Sequence, residues 1–514
     1  LQLTFLGATR EVTGSCYLLK TQDKSFLVDC GLVQGRGEER NYQPFPFTPG
    51  DMDFILLTHA HLDHSGRIPL LFRNGFRGKI YATLPTIELS RLLWLDTVKI
   101  MEEESERVNR KNVRQGKPQV QPLFGEKEVE GAMNLFVPVG YDELINEGEI
   151  EFVFRNSAHI LGGAALEVWG EGSKVVFSGD LGQFYSVMEG SPPVIERADF
   201  VVIESTYGNR NHRSLEDTRR EFSEAISGAL SRGGKVLIPS FVVDRAQRVI
   251  YELSLLPEKV RNKYPVFFDS PLGAKVTDVY ERYRNLLSGE IQKLNWEKKS
   301  PFSLPNLRYV STSAESKAIN NINQAIVIAG SGMCTGGRIV HHLKHNLYKE
   351  NTTLIFVGFQ AQGTLGRALV EGAKKVRVLG EEIVVKAQIY TINGFSVHAD
   401  QEDLFKWVEY FQGSPTFLVT HGEESIAESF AQLLGERGKE VIVPYLGDTI
   451  DLGKKKVFSA PPPPPGENIL EKLESKVSSL QNIYPTLGEE EKILLRSALV
   501  LLEEVEKRKE ESLV

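Results

Sequence analysis

The stretch Thr58-His59-Ala60-His61-Leu62-Asp63-His64 follows an apolar run at residues 54–57 and places three histidines and an aspartate within six residues. Neutral imidazole and carboxylate are the ligands that divalent zinc takes in hydrolytic sites. The apolar run reads as a buried strand, so the cluster lies on the loop leaving its C-terminal end. In an extended segment alternate side chains point the same way, and His59 and His61 then face one ion. A turn after Leu62 re-aims Asp63 and His64 toward a second ion. The alternative is a polar loop with histidines by chance. The whole chain holds only ten histidines in 514 residues, which weighs against it.

A chain of this length exceeds one compact core, so two domains with an appendage are expected. A composition of 41% hydrophobic and 25% charged residues is that of a soluble globular protein. Cys16, Cys30 and Cys334 form no Cys-x-x-Cys pair and exclude a disulfide framework, which makes cytoplasmic residence the expectation. Residues 1–7 read as a strand and glycine turn, not a signal peptide, and no apolar run is long enough to span a bilayer. The net charge of −8 hides an asymmetry: residues 206–387 carry 27 Lys and Arg against 17 Asp and Glu. A basic middle in an acidic chain fits a segment that binds a polyanion.

Strands are expected at 1–6, 16–19, 26–29, 54–57, 151–154, 165–169, 175–178 and 200–204, with a helix over 85–107 that ends in a charge-rich, mobile stretch at 102–117. From residue 215 helix and strand alternate (helix 216–230, strand 235–238, helix 245–256, strand 266–269), the pattern of an α/β module with a parallel sheet. The first texture returns after residue 386, with a buried strand at 416–420, as though one module interrupts another. Ala460, five prolines and Gly466 read as a rigid spacer. Beyond it Ile469, Leu470, Leu473, Val477 and Leu480 form one helical stripe and residues 493–505 a second, a helical hairpin.

A two-metal site needs further ligands. Ser157-Ala158-His159 leads into Gly162-Gly163, Phe177-Ser178-Gly179 ends in Asp180, and Val419-Thr420 ends in His421. Each is weak alone, but strand ends on one sheet edge converge in space.

His59-x-His61-x-Asp63-His64, His159 and Asp180 resemble the signature of the metallo-β-lactamase fold, an α/β four-layer αββα sandwich. Glu204-Ser205-Thr206-Tyr207-Gly208, Phe395-Ser396-Val397-His398-Ala399-Asp400 and His421-Gly422-Glu423 resemble the three further motifs of the β-CASP nucleases. That branch includes the cleavage-and-polyadenylation endonuclease, its bacterial and archaeal relatives and, more distantly, ribonuclease J. The resemblance covers residues 1–450. It implies a metallo-β-lactamase domain in two parts (1–205 and 388–458) interrupted by a β-CASP domain (206–387) with a mostly parallel sheet. A proline-rich linker (459–466) and a helical extension (467–514) follow.

The resemblance also implies roles. His59, His61 and His159 hold one zinc ion, Asp63, His64 and His421 a second, and Asp180 bridges the two. Asp29 supports the site from behind, and Glu204 orients His398, the general acid. The DNA-directed branch typically lacks the last histidine, so His421 points to RNA. Single-stranded RNA is then the expected partner, cut to a 5′-phosphate and a 3′-hydroxyl by an endonuclease, with 5′–3′ exonuclease action and a homodimer left open.

The basic middle supplies candidate phosphate contacts. Ser331, Gly332, Met333, Gly336 and Arg338 lie on a glycine-rich turn between a strand and a helix, whose N–H groups are expected to cradle phosphate. Gln360 lies on a second such turn, and Arg245 at another helix start facing the same cleft. His341, His342 and His345 read as surface or phosphate-proximal residues, and His212 has no assigned role. Two competing functions are another dimetal hydrolase acting on a small ester or phosphodiester, and an RNA-binding subunit of weak activity. The long basic insert and the Glu204/His398 pair oppose the first, and the complete ligand set opposes the second.

Overall fold

Along each central strand, alternate side chains enter different cores. Phe26 and Val28 pack with Phe54, Leu56, Phe152, Phe154, Phe177 and Phe200, whereas Leu27 and Ile55 face Ile68, Trp94 and Val129 on the other side. Such strands are buried on both faces, so two sheets stack with helices outside them. The computed structural model describes residues 1–458 except 36, 297–299, 361–362 and 455, and the expected proline-rich linker and helical hairpin lie outside the described residues.

One sheet has eight strands in the order Lys456–Phe458, Thr449–Asp451, Gln2–Phe5, Tyr17–Lys20, Ser25–Val28, Phe54–Leu56, Lys79–Thr83, Phe136–Val139. The other has seven, in the order Glu440–Ile442, Thr416–Val419, Phe200–Ile203, Ser173–Phe177, Ala164–Gly170, Ile150–Asn156, Leu144–Glu147. Helices Ile68–Arg73, Leu84–Arg114 and Glu126–Met133 cover the first sheet, and Gln401–Glu409 and Glu424–Glu436 the second. This is the expected αββα sandwich. Thr416–Val419 pairs in parallel with Phe200–Ile203, with Val201 opposite Phe417, so the chain leaves one strand and returns, some two hundred residues later, as its neighbour.

In between, six strands form a sheet in the order Leu307–Tyr309, Val266–Asp269, Ile326–Ala329, Val236–Pro239, Thr353–Phe356, Gln388–Thr391, every neighbouring pair parallel. Its two faces are again sorted by alternation: Val236 and Ile238 pack on one side, Leu237 on the other. Parallel strands need crossovers, and the helices between them supply these.

The helix expected to end near residue 107 runs over Leu84–Arg114. Its charge-rich end continues the helix to Arg114. Arg110 and Glu106 pair one turn apart at 3.7 Å, and Asn109 clips the returning chain by bonds to the Val120 N–H (2.8 Å) and carbonyl (2.9 Å). Among the described residues no helix is long and apolar enough to cross a membrane.

Candidate metal centre

The C-terminal ends of parallel strands meet along one rim of the sandwich. Ser25–Val28 delivers Asp29, Phe54–Leu56 the 58–64 loop, Ser173–Phe177 Asp180, Phe200–Ile203 Glu204 and Thr416–Val419 His421. His159 lies on the turn between antiparallel Ile150–Asn156 and Ala164–Gly170. The chain must swing sharply at each strand end, and left-handed residues do so: Asp29 (φ 58°), Ala158 (φ 58°), Gly179 (φ 53°) and His421 (φ 48°). For residues with a Cβ this conformation costs about 1–2 kcal/mol each. Backbone bonds hold it in place, such as His421 N–H to Ala8 O at 2.7 Å and Asp29 N–H to Leu56 O at 3.0 Å. Two glycines permit the ligand loops to press against their neighbours. A Cβ on Gly31 would stand 1.6 Å from Asp63 O, and one on Gly182 would stand 1.7 Å from Ala158 O.

The helix Leu62–Ser65 begins directly after His61, so Asp63 and His64 ride on its first turn, and the His64 ring lies beside that of His59 with centroids 4.1 Å apart. Two clusters result. In the first, His61 Nδ1 lies 3.2 Å from both His59 Nε2 and His159 Nε2, and Asp180 Oδ2 lies 3.5 Å from His59 Nε2 and 3.4 Å from His159 Nε2. Tetrahedral zinc with bonds of about 2.0 Å has ligand–ligand edges of about 3.3 Å. In the second, His64 Nε2 lies 3.2 Å from His421 Nε2, Asp63 Oδ2 is 3.7 Å from His421 Nε2, and Asp180 Oδ1 is 3.2 Å from His64 Nε2. Asp180 thus turns one oxygen to each cluster. Among the described residues its buried Oδ1 has no hydrogen bond of good geometry, only imidazole nitrogens around it, as expected of an atom whose partner is a cation. The donor set fits two zinc ions.

Four of the five imidazoles are oriented through their other nitrogen. His59 Nδ1 meets Thr58 Oγ1 at 3.0 Å, His64 Nδ1 meets Asp29 Oδ2 at 2.7 Å, His159 Nδ1 meets Val397 O at 3.3 Å and His421 Nδ1 meets Thr206 Oγ1 at 3.2 Å. Asp29 is itself fixed by the N–H and hydroxyl of Thr58, both at 2.8 Å. Such partners settle which nitrogen carries the proton. Thr58 and Thr206 were not anticipated; each adjoins a motif residue in sequence, and that adjacency was the available signal. The Val397 carbonyl carried none.

Burial, with the neighbouring His64, pushes His59 well below its ordinary pKa; burial, then His398, does the same to His159. Both imidazoles are therefore neutral, the form that can bind a metal ion. Burial alone would raise the Asp180 carboxyl, but His421, His64 and His59 outweigh it and hold it well below the carboxylate range. Burial alone would lower His64, yet Asp180 and Asp29 on either side hold it well above its ordinary value.

His398 stands at the rim of the first cluster, with its Nε2 4.0 Å from Asp180 Oδ2. Its Nδ1 is 3.1 Å and 3.2 Å from the two oxygens of buried Glu204, which also accepts from the Leu181 N–H at 2.7 Å. Burial would lower the His398 pKa; the Glu204 charge and hydrogen bond raise it. His212 lies against the same segment, with Nε2 3.2 Å from His398 O, and burial pushes its pKa down to about 4.

The residues expected to meet substrate divide into two groups. Ser331, Met333 and Gly336 lie half-buried on their turn and Gly332 is buried. The cradle is partly closed on itself, because the N–H groups of Thr335 (2.9 Å) and Gly336 (3.3 Å) turn to Ser331 Oγ. Arg245 does not face the cleft: it is buried, and donates to the carbonyls of Val357 and Phe395. Arg338 is engaged by Asp269 at 2.5 Å, and Gln360 is buried with its amide on Gly332 O at 3.0 Å and Gly358 O at 3.1 Å. His342 is not at the surface either, but buried with Nε2 2.7 Å from Asp269 Oδ2, whereas His341 and His345 are exposed. Internal charge and polar pairing, invisible in a linear chain, claims these side chains.

Three family models match. That of the metallo-beta-lactamase superfamily covers residues 9–226, that of the Beta-Casp domain 246–369, and that of a Zn-dependent metallo-hydrolase RNA specificity domain 382–444. Ribonuclease TTHA0252 of Thermus thermophilus is 40% identical over 445 residues, 86% of this chain and 98% of that protein. Transcription termination factor FttA of Methanocaldococcus jannaschii is 34% identical over 473 residues, 88% of this chain and 71% of its own. FttA of Thermococcus kodakarensis is 32% identical over 448 residues, 82% of this chain and 67% of its own. A solved structure of a protein of unknown function from Enterococcus faecalis matches with a TM-score of 0.51 at 14% identity, over 87% of this chain and 99% of that one, a likeness of fold. Identity of this extent along nearly the whole of a relative, in a chain whose motif residues meet at one rim, makes the protein a member of the β-CASP branch of the metallo-β-lactamase superfamily.

Proposed function

We propose that the protein is a zinc-dependent ribonuclease that hydrolyses RNA phosphodiesters to a 5′-phosphate and a 3′-hydroxyl, acting as an endonuclease on single-stranded RNA in the cytoplasm. The observation that carries this reading is the pair of ligand clusters sharing Asp180, with the Glu204–His398 pair beside them. Two zinc ions held by His59, His61 and His159 and by Asp63, His64 and His421 would supply a nucleophile at neutral pH and offset charge developing on the phosphate. In-line attack by water breaks the bond from phosphorus to the 3′-oxygen. That oxygen leaves well only when protonated, and His398 Nε2 faces the centre to deliver the proton while Nδ1–H stays on Glu204. Residues 206–387 serve as the RNA clamp. Ser331, Met333 and Gly336 meet the backbone, and buried Gly332, with Arg245, Arg338 and Gln360, shapes that surface from behind. The ribonuclease name of the Thermus relative supports RNA as substrate.

The test is one RNA supplied with a 5′-triphosphate, with a 5′-monophosphate, or as a circle. Cutting of the circle to fragments with 5′-phosphate ends is the expected result. An intact circle, with mononucleotides released from the monophosphate form, would replace the endonuclease reading with an exonuclease. No cleavage of any form by protein shown to hold two zinc ions would overturn the function.

A further inference from the structure

Between the short turn Asn393–Phe395 and the helix Gln401–Glu409 the backbone joins no ladder, so its buried carbonyls need other donors. Four successive carbonyls find side chains. Arg245 donates to Phe395 O and Gln183 Nε2 to Ser396 O at 2.7 Å, while His159 Nδ1 lies 3.3 Å from Val397 O and His212 Nε2 3.2 Å from His398 O. These donors come from four separate stretches of chain and grip the segment that carries the general acid. His212 holds the carbonyl of His398 itself. It is fixed in turn, since its backbone N–H donates to Asp400 Oδ2 at 2.9 Å and its ring meets Tyr207 edge-on with centroids 4.6 Å apart.

We propose that His212 is a positioning residue for proton delivery by His398. This rests on the reading of His398 as general acid. The His212 ring N–H anchors the His398 backbone, and through it the reach of Nε2 toward the leaving oxygen. His59, His64 and His421 are oriented by groups outside this segment, namely Thr58, Asp29 and Thr206, while His159 rests on the segment through the Val397 carbonyl. Loss of the His212 bond therefore disturbs proton transfer, while Gln183 and Arg245 still hold the segment under His159, so that metal loading and RNA binding are spared. A reacting group displaced by about 1 Å slows a reaction about a hundredfold.

The experiment compares full-length wild type, His212→Phe, His212→Gln and His398→Ala on an RNA with one scissile linkage, and on the same RNA with sulfur replacing the 3′-bridging oxygen. A sulfur leaving group departs without a proton. The expected result for His212→Phe is a fall in kcat on the oxygen linkage of about tenfold to a hundredfold. Its KM and zinc content should match wild type, and its loss on the sulfur linkage should be far smaller. His212→Gln, which retains an N–H donor, should recover part of the rate. Equal losses of His212→Phe on both linkages, or no loss on either, would overturn the proposal, as would His212→Gln performing no better than His212→Phe. Should His398→Ala lose equally on both linkages, the general-acid reading fails, and the role of His212 with it. A differential loss in His398→Ala but not in His212→Phe refutes the positioning role alone.

Discussion

Every histidine that orients through a second nitrogen in this centre spends that nitrogen on a group within the fold, and the groups differ in kind. For His64 it is a carboxylate, Asp29, at 2.7 Å; for His59 and His421 it is a threonine hydroxyl; for His159 it is a backbone carbonyl. The carboxylate is the strongest of these and makes its imidazole the most basic of the four. Asp29→Asn preserves shape while removing charge. It is expected to weaken zinc binding by about 10–100-fold, as outer partners of metal ligands do, read by competition with a chromophoric chelator. Unchanged affinity would assign Asp29 to the fold alone. His398→Ala, by contrast, should retain two zinc ions and lower kcat by about 10²–10⁴-fold, the range for a lost general acid.

At the scale of elements, the strand ends do the assembling. The motif residues were legible because each stands just past an apolar run, and strand, turn and ligand follow from local alternation. The close packing that sets their separation was not. Gly31 shows this: nothing near it in the chain reveals that Asp63 O lies where its Cβ would be, at 1.6 Å. Gly31→Ala should destabilise by about 1–3 kcal/mol, as overpacking does, with a lower denaturant midpoint. It should also lower zinc occupancy at the cluster of Asp63, His64 and His421 before that of the other cluster. The long helix Leu84–Arg114 carries the same lesson, because the bonds by which Asn109 ties its charged half to Val120 join residues that the local pattern does not pair.

At the scale of the whole molecule, the sandwich and the six-strand part share one core. Val187 and Met188, from the loop between Ser173–Phe177 and Phe200–Ile203, pack among residues such as Val249, Ile250 and Tyr280. Next to them Arg248 pairs with Glu189 at 2.5 Å and with Asp244 at 3.2 Å. Burial, then the Asp244 charge, push the Glu189 carboxyl well above its ordinary value. The folded protein thus favours neutral Glu189, and the stability this brings is full below about pH 4.3, the ordinary glutamate pKa, and lost as pH rises through the raised one. Glu189→Gln mimics the neutral acid and should flatten that slope in melting temperature against pH. Arg248→Met leaves Asp244 without its cation and should cost about 3–5 kcal/mol. Equal destabilisation by the two variants would refute this account of the Glu189, Arg248 and Asp244 cluster. Removal of metal should lower the melting temperature as well, and zinc should restore it, since an ion held only by the folded state stabilises by about 4 kcal/mol at a thousandfold excess over its Kd.

The sequence by itself determined which residues could be ligands, that they stand at strand ends, and that a parallel α/β stretch interrupts a module of another texture. Those properties are local, written in alternation, in turn residues and in the chemistry of His and Asp. Tertiary structure alone decided which of the Asp180 oxygens faces which cluster. It also withdrew Arg245, Arg338, His342 and Gln360 into internal partnerships, and brought His212 to the carbonyl of His398. Such choices depend on which charges and carbonyls meet across distant segments, a property of packing that no stretch of the linear chain contains.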